Sequence, residues 1–303
     1  MQTFLPYRDF ERSAAMLDIR RLGKQRVEVL QILRAVTLED YGWRNHPAVT
    51  MWVRYTDALV TYGVAVTRRW QSEGYGDTVL PQLLEFLGAP LRTQRELAIA
   101  GALPPWLGRR SLHRSHQAAL LRKDPVHYGP LFPSVPVDLP YVWPESSPAD
   151  PPAGDISAWI VRAAPDDLEQ MTRHTFVGVR PVNDENPMAP AGHSTRNTKR
   201  RRQITMLVED IAIGDRVVVP DGDQLMAGRV TSDYEWWPEA PNALHHTRRV
   251  AWVGPVARSA LARPVYLQDP RVVFPLRDEA VLCRGRGTVA RGAQPGQVPR
   301  RVA

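Results

Sequence analysis

The sequence predicts a multi-domain protein, with an all-α domain followed by an α+β domain built on a small twisted sheet or β-barrel, and three observations point to it. The 303 residues suffice for two cores of ordinary size. Apolar residues recur at helical spacing through residues 1–132 and in strand-like runs through residues 155–283. Between them, residues 133–154 (PSVPVDLPYVWPESSPADPPAG) are dense in proline and lack periodicity, as an interdomain linker would.

In the first domain, Asp9 stands where it can cap a helix through FERSAAML. Leu22, Val27, Leu30, Leu33 and Val36 mark one face of a long helix that Gly42 interrupts. After the loop GWRNHP, Pro47 suits the first turn of a helix carrying Val49, Trp52, Leu59, Val66 and Trp70 and ending near Glu73 and Gly74. Short helices are expected over 83–87 and 92–100. Ser111 can cap a last one, SLHRSHQAALLRK, which Pro125 follows.

In the second domain AWIVRAA, DRVVVP, LMAGRVTSDYEW and TRRVAWVG are β-branched and aromatic runs bounded by Gly, Pro and Asp, and read as strands. A helix is expected around 204–210. Residues 284–303 hold five arginines and no acid, and read as a disordered basic tail able to follow a phosphate backbone.

The 39 basic residues against 32 acidic ones leave a charge of +7, which attracts polyanions by counterion release. DNA is the expected partner and RNA the alternative. No apolar run reaches the 18 residues of a transmembrane helix, and MQTFLPYRDFER lacks the pattern of a signal peptide, so no membrane partner is expected. Cys283, the sole cysteine, excludes an intramolecular disulfide; the expected compartment is the cytoplasm, with association to the nucleoid compatible. No cofactor is called for.

Three groups of residues carry candidate chemistry. Arg20, Arg21, Lys24 and Arg26 crowd one helix start, and Glu28 lies one turn beyond Lys24. A lysine beside a carboxylate suits Schiff-base chemistry, and equally a plain surface ion pair. Trp43, Arg44, Asn45 and His46 precede a helix N-terminus, a place that binds phosphate; His46 could instead simply cap that helix. His113 and His116 stand three apart on one helix and could join His46 around a metal, but packing or phosphate contact is the reading adopted, with no metal. Farther on, Tyr234, Trp236 and Trp237 beside Asp233 and Arg229 suit a flipped base, or a strand core. The run Thr198, Lys199, Arg200, Arg201, Arg202 suits phosphate contact, or a solvated helix start.

RLGKQRVE, GWRNHPAV and LHRSHQAALLRKDPVHYGPLFP, followed by LPYVWP, resemble the bacterial relatives of the pyrimidine-dimer DNA glycosylase family of phage endonuclease V, over about residues 1–143. The resemblance implies a compact helical fold, base flipping, and glycosylase and abasic-site lyase activity through an amine nucleophile. The residues expected to contact DNA are Arg20, Arg26, Arg44, Asn45, His113, Arg114 and His116. Two departures stand out. The family uses the α-amine of a threonine freed by methionine removal, whereas Gln2 follows Met1 here and blocks that removal, so Thr3 is not terminal. The family's catalytic glutamate aligns with residues 20–26, where no acid stands, and Glu28 is the nearest substitute. Met1 or Lys24 is then the amine, and Glu28 or His46 the group that moves the proton.

AWIVRAA, IxxGDRVVVP and GRVTSDYEW with HTRRVAWVG resemble the N-terminal module of Mrr-type restriction endonucleases and the PUA, EVE and ASCH group of small β-barrels, over about residues 156–283. That resemblance implies reading of modified bases, with Trp159, Ser194, Asp233, Tyr234, Trp236 and Trp237 lining the pocket; the polar, proline-rich loop between Val179 and Lys199 departs from that group, and Lys199, Arg200 and Arg201 at its basic end are expected on phosphates. The expected function is a base-excision DNA glycosylase directed to damaged or modified bases; the alternative is a non-catalytic reader of modified DNA or RNA.

Overall fold

The computed structural model describes residues 1–144, 156, 158–182, 195–261 and 264–277. The expected tail 284–303, Ser194 and most of the second half of the expected linker lie outside them.

The N-terminal half is helical: α1 (Phe10–Ala15), α2 (Ile19–Thr37), α3 (Pro47–Thr50), α4 (Thr56–Ser72), α5 (Leu80–Leu84), α6 (Gln94–Ile99), α7 (Arg110–Lys123) and α8 (Pro125–Tyr128). Asp9 caps α1 through the Arg12 amide, as its position predicts. Asp18 caps α2 through the Arg21 amide and also receives the Tyr128 hydroxyl at 2.5 Å, which ties α2 to α8. The buried face of α2 runs through Leu22, Gln25, Val29, Ile32 and Leu33; Val27, expected on it, faces solvent because it lies off the 3.6-residue stripe. The single helix expected from Pro47 to Glu73 is two, parted where Arg54 takes a left-handed backbone (φ 72°). Ser111 does not cap α7, which begins at Arg110 with Arg109 as its N-cap residue.

The first part of the stretch expected as a linker packs on the helical half. Residues 134–142 lie along α7 as a strap: Arg114 donates to the Ser134 carbonyl (3.1 Å), Arg122 to those of Val137 (2.5 Å) and Leu139 (3.0 Å), and the Val142 amide to Ser115 Oγ (3.1 Å). Prolines do not prevent this, because side chains of α7 satisfy the carbonyls of an extended chain.

The C-terminal half comprises β1 (Ala158–Val161), α9 (Pro165–Arg173), β2 (Phe176–Val179), α10 (Thr195–Thr205), a π-helical turn (Met206–Asp210), β3 (Arg216–Asp221), β4 (Gln224–Val230), β5 (Glu235–Trp236), β6 (His246–Ala257) and β7 (Val273–Leu276). The strands form a curled, half-barrel mixed sheet in the order β2-β6-β4-β3-β1-β7, with β5 also on β6. Among the described strands only β1 and β3 run parallel. Long β6 pairs with β2 and β5 through its first residues and with β4 through the rest. A register shift at Ala227/Gly228 produces the bend, and a Cβ on Gly228 would fall 2.4 Å from Val250 Cγ1. Buried Arg248 donates to the carbonyls of Leu207 (2.7 Å) and Val208 (2.6 Å), supplying partners to the π-turn.

The halves meet along a charged seam. Glu85 receives Arg258 (3.0 Å) and Gln268 (2.6 Å), Arg34 donates to Gln268 (3.0 Å), and Arg271 reaches Asp40 (3.1 Å). Val265, from the C-terminal half, is buried in the helical core. A cavity of about 230 Å³ opens at this seam between Asp40, Lys199, Arg202 and Arg271. Among the described residues no helix is long and apolar enough to cross a membrane.

Candidate active site on the helical half

Glu28 and Gln25 share the buried side of α2, three residues apart. Gln25 works as a strand partner for the first residues of the chain. Its Nε2 donates to the Gln2 carbonyl (2.7 Å), and its Oε1 accepts the Phe4 amide (2.9 Å). The segment continues inward: Trp52 donates to Thr3 Oγ1 (3.2 Å), Tyr62 to the Phe4 carbonyl (2.7 Å), and Gln117 to the Pro6 carbonyl (2.8 Å). This anchoring brings the Met1 amino nitrogen to 3.5 Å from Glu28 Oε1, with both side chains largely out of water. Lys24 Nζ reaches the same oxygen at 3.6 Å, but its side chain is 72% exposed against 9% for Glu28.

His113 and His116 complete the anchor. His116 Nδ1 accepts the Leu5 amide (2.8 Å), while the Leu5 carbonyl bonds His113 Nδ1 (2.8 Å). Gly108 donates its amide to His113 Nε2 (3.0 Å), so His113 carries its proton on Nδ1. Burial pushes His116 down to about 3, with nearby His113 opposing a second charge there, and burial also lowers His113. Both rings are neutral fixtures of the core, and this corrects the expectation that they touch phosphate. Nor do they join His46 around a metal: among the described residues no group of three potential ligands occurs.

Aromatic rings gather around His46 and His116. His46 caps α3, its Nδ1 accepting the Ala48 amide at 3.1 Å. Its ring stands edge-on to Trp43 (5.7 Å) on one side and to Trp143 (5.9 Å) on the other. Tyr141 stacks between His116 (4.6 Å) and Trp143 (4.4 Å), and its hydroxyl donates to the Thr3 carbonyl at 3.4 Å. His46 is pushed below the usual histidine range by desolvation first and by the Met1 ammonium second, with Glu28 pulling the other way. Because Nδ1 accepts the Ala48 amide, the ring carries its proton on Nε2. Tyr141 and Trp143 were missed as site residues because they sit in the proline-rich stretch; two large aromatics two residues apart were the available signal.

The arginines expected on DNA divide. Arg26 is engaged, pairing with Asp77 and lying over the Trp70 ring, and Arg44 donates to the carbonyls of Leu38 and Glu39 at the end of α2. Arg114 holds the strap. These three act within the fold, because each guanidinium supplies donors that the backbone or a carboxylate consumes. Arg20 and Asn45 are exposed, Arg20 on the same open face of α2 as Lys24.

In the C-terminal half the expected pocket residues separate too. Tyr234 Oη bonds His246 Nδ1 (3.2 Å), and Trp236 stands edge-on to His246 (4.9 Å), so these two flank one buried histidine. Trp237 instead packs on Phe176 (5.5 Å) under Arg249. Trp159 stands apart from them: it is largely buried, with Nε1 donating to Asp215 (2.9 Å), and borders a cavity with Asp210 and Arg216. Asp233 and Lys199 are exposed and Arg201 half-buried, and Arg200 donates to the Arg180 carbonyl at 3.5 Å.

Residues 1–80 match the family described as pyrimidine dimer DNA glycosylase. That stretch includes Met1, Lys24, Gln25, Glu28, Trp43 and His46, but not Tyr141 or Trp143. Residues 168–260 match a domain of unknown function (DUF8426), and neither match assigns the half-barrel to the PUA, EVE or ASCH group. No curated protein matches the chain.

Proposed function

We propose that the protein is a DNA glycosylase with abasic-site lyase action, directed to damaged or modified bases, with the Met1 amine as nucleophile and Glu28 as the proton-handling carboxylate. One observation carries this reading: the Met1 amine lies 3.5 Å from a buried carboxylate, inside a stretch that matches a DNA glycosylase family. Positioning separates the two amines. Met1 is fixed by the bonds of Gln25 to Gln2 and Phe4, whereas Lys24 ends a long, exposed side chain.

The chemistry is a substitution at C1′ of an extruded nucleotide. The neutral amine nitrogen bonds C1′ as the glycosidic bond breaks, and the base leaves with the electron pair. Glu28 takes a proton from the alkylated nitrogen and returns it to the departing base. The nitrogen lone pair then forms the C1′=N bond of an iminium as C1′–O4′ breaks and O4′ takes a proton from water; loss of the C2′ proton to the Glu28 carboxylate expels the 3′ phosphate with the C3′–O electron pair, or borohydride delivers hydride to C1′ and gives a stable adduct. His46, with Nδ1 occupied by the Ala48 amide, offers its Nε2 proton as a hydrogen-bond donor at the same site. The open face of α2 with Arg20 and Lys24, together with Asn45, supplies phosphate contacts. The half-barrel reads the base through Tyr234 and Trp236, with Lys199 and Arg201 on the backbone; this module follows the PUA-like reading.

The test is incubation of the purified protein with duplexes carrying an abasic site, a thymine dimer or a modified cytosine, with and without borohydride. The expected result is a trapped adduct whose DNA-bearing peptide is residues 1–8. No adduct on any substrate, with selective binding retained, would replace the enzyme by a reader of modified bases. Matched RNA in the same binding assay separates DNA from RNA as the native partner, since only RNA offers the 2′-hydroxyl.

A further inference from the structure

Trp43 stands out on three independent grounds. Its indole is 65% exposed although it borders the aromatic cluster around His46. Its backbone is left-handed, φ 72°, a conformation that bulky L-residues rarely adopt. The bonds around it keep it there: the His46 amide closes a turn on the Trp43 carbonyl (2.9 Å), and the Arg44 guanidinium clamps the loop to the carbonyls of Leu38 and Glu39. The fold thus holds a large apolar ring outward in a strained loop, edge-on to the histidine coupled to Met1 and Glu28. Strain of this kind persists where surrounding structure over-determines it, and it gathers at working sites.

We infer that Trp43 is a wedge: its indole enters the duplex stack at the target step and fills the gap left by a nucleotide turned out toward the Met1 amine. Apolar side chains inserted between base steps unstack and kink DNA, and extrusion of a base is costly unless something occupies its place. Because the ring is positioned by His46 and Arg44, insertion and delivery of C1′ to the amine are set by one rigid loop. Trp43 is a positioning residue that does not touch the reacting atoms. The inference rests on the amine reading above.

The experiment places 2-aminopurine beside an abasic site in a duplex and follows its fluorescence as full-length protein binds. The wild-type protein is expected to quench the probe by stacking. Trp43→Ala should bind that duplex about tenfold to hundredfold more weakly and lose the quench, and Trp43→Phe should keep most of it. Trp43→Gly, which suits the left-handed backbone, must behave as Trp43→Ala, so that the ring rather than the loop is responsible. Borohydride trapping on the same sequence as a single strand gives the second arm, where the loss in Trp43→Ala should be at least about tenfold smaller than on the duplex, because no stack needs opening. Equal losses on both strands, or a full quench by Trp43→Ala, would overturn the wedge. Absence of trapping in the wild type with quenching intact would instead overturn the amine reading and leave the wedge standing.

Discussion

The Met1 amino nitrogen lies 3.5 Å from Glu28 Oε1, on a chain segment that Gln25, three residues before Glu28, holds by two hydrogen bonds. Nucleophile and carboxylate are therefore referenced to the same helix. Glu28→Gln keeps the shape and removes the proton acceptor. Strand cleavage at an abasic site should fall by about a hundredfold or more, with DNA binding retained. Wild-type cleavage by Glu28→Gln would remove the carboxylate from the mechanism.

Lys24 competes for the same oxygen from an exposed position. The Lys24→Ala protein is expected to give borohydride-trapped adducts in near wild-type yield, and peptide mapping should still find DNA on residues 1–8. Loss of the adduct in this variant would transfer the nucleophile to Lys24.

Gln25→Ala should uncouple amine and carboxylate without touching either. The Phe4 amide loses its acceptor in the core, at a cost of about 1–3 kcal/mol in thermal or urea unfolding. Trapping measured well below the melting point should decline as well. A variant with lowered stability and full trapping would show that Gln25 only holds the fold.

Acid should weaken the fold through buried histidines. His116 is pushed down to about 3 and His246 to about 4, in both cases chiefly by burial, from an ordinary value of 6.5. The unfolded chain then binds more protons than the folded one below pH 6.5. The stability contributed is complete above that value and is lost as pH falls toward those of the folded state. Urea midpoints should drop between pH 7 and pH 5, and less steeply in His116→Gln. An unchanged slope in that variant would exclude His116 as a source.

Gly228 sits where the sheet bends, and a Cβ there would meet Val250 Cγ1 at 2.4 Å and the Trp252 ring at 2.8 Å. Both neighbours are held by the β4–β6 pairing, so Gly228→Ala should destabilise by about 1–3 kcal/mol. The melting temperature checks this. No shift would mean that β6 moves freely against β4.

Much of the helical half was legible because its signals are local. Asp9 and Pro47 mark helix starts through capping and fixed φ, and the strands DRVVVP and TRRVAWVG carry β-branched runs. Glu28 and Lys24 were readable as a pair one turn apart. What could not be read was the third member, since the approach of Met1 to Glu28 depends on the tertiary bonds of Gln25, Tyr62 and His116 to a segment with no periodicity. The histidines misled for the same reason: their partner is the backbone of Leu5, more than a hundred residues away. Strand β7 and helix α9 are short, and their neighbours in the sheet rather than their own patterns define them.

Val265 leaves its own half of the chain and is buried in the helical core, with Gln268 three residues on gripping Gln82 and Glu85. Modular rearrangement is constrained by that trespass. A gene fragment cut after the strap would hand its helices a vacancy where an isopropyl group had been, and a Glu85 carboxylate stripped of its donors from Arg258 and Gln268. The two halves of this chain could then be exchanged between proteins only together with the short stretch that carries Val265 and Gln268, and limited proteolysis should release neither half as a stable fragment.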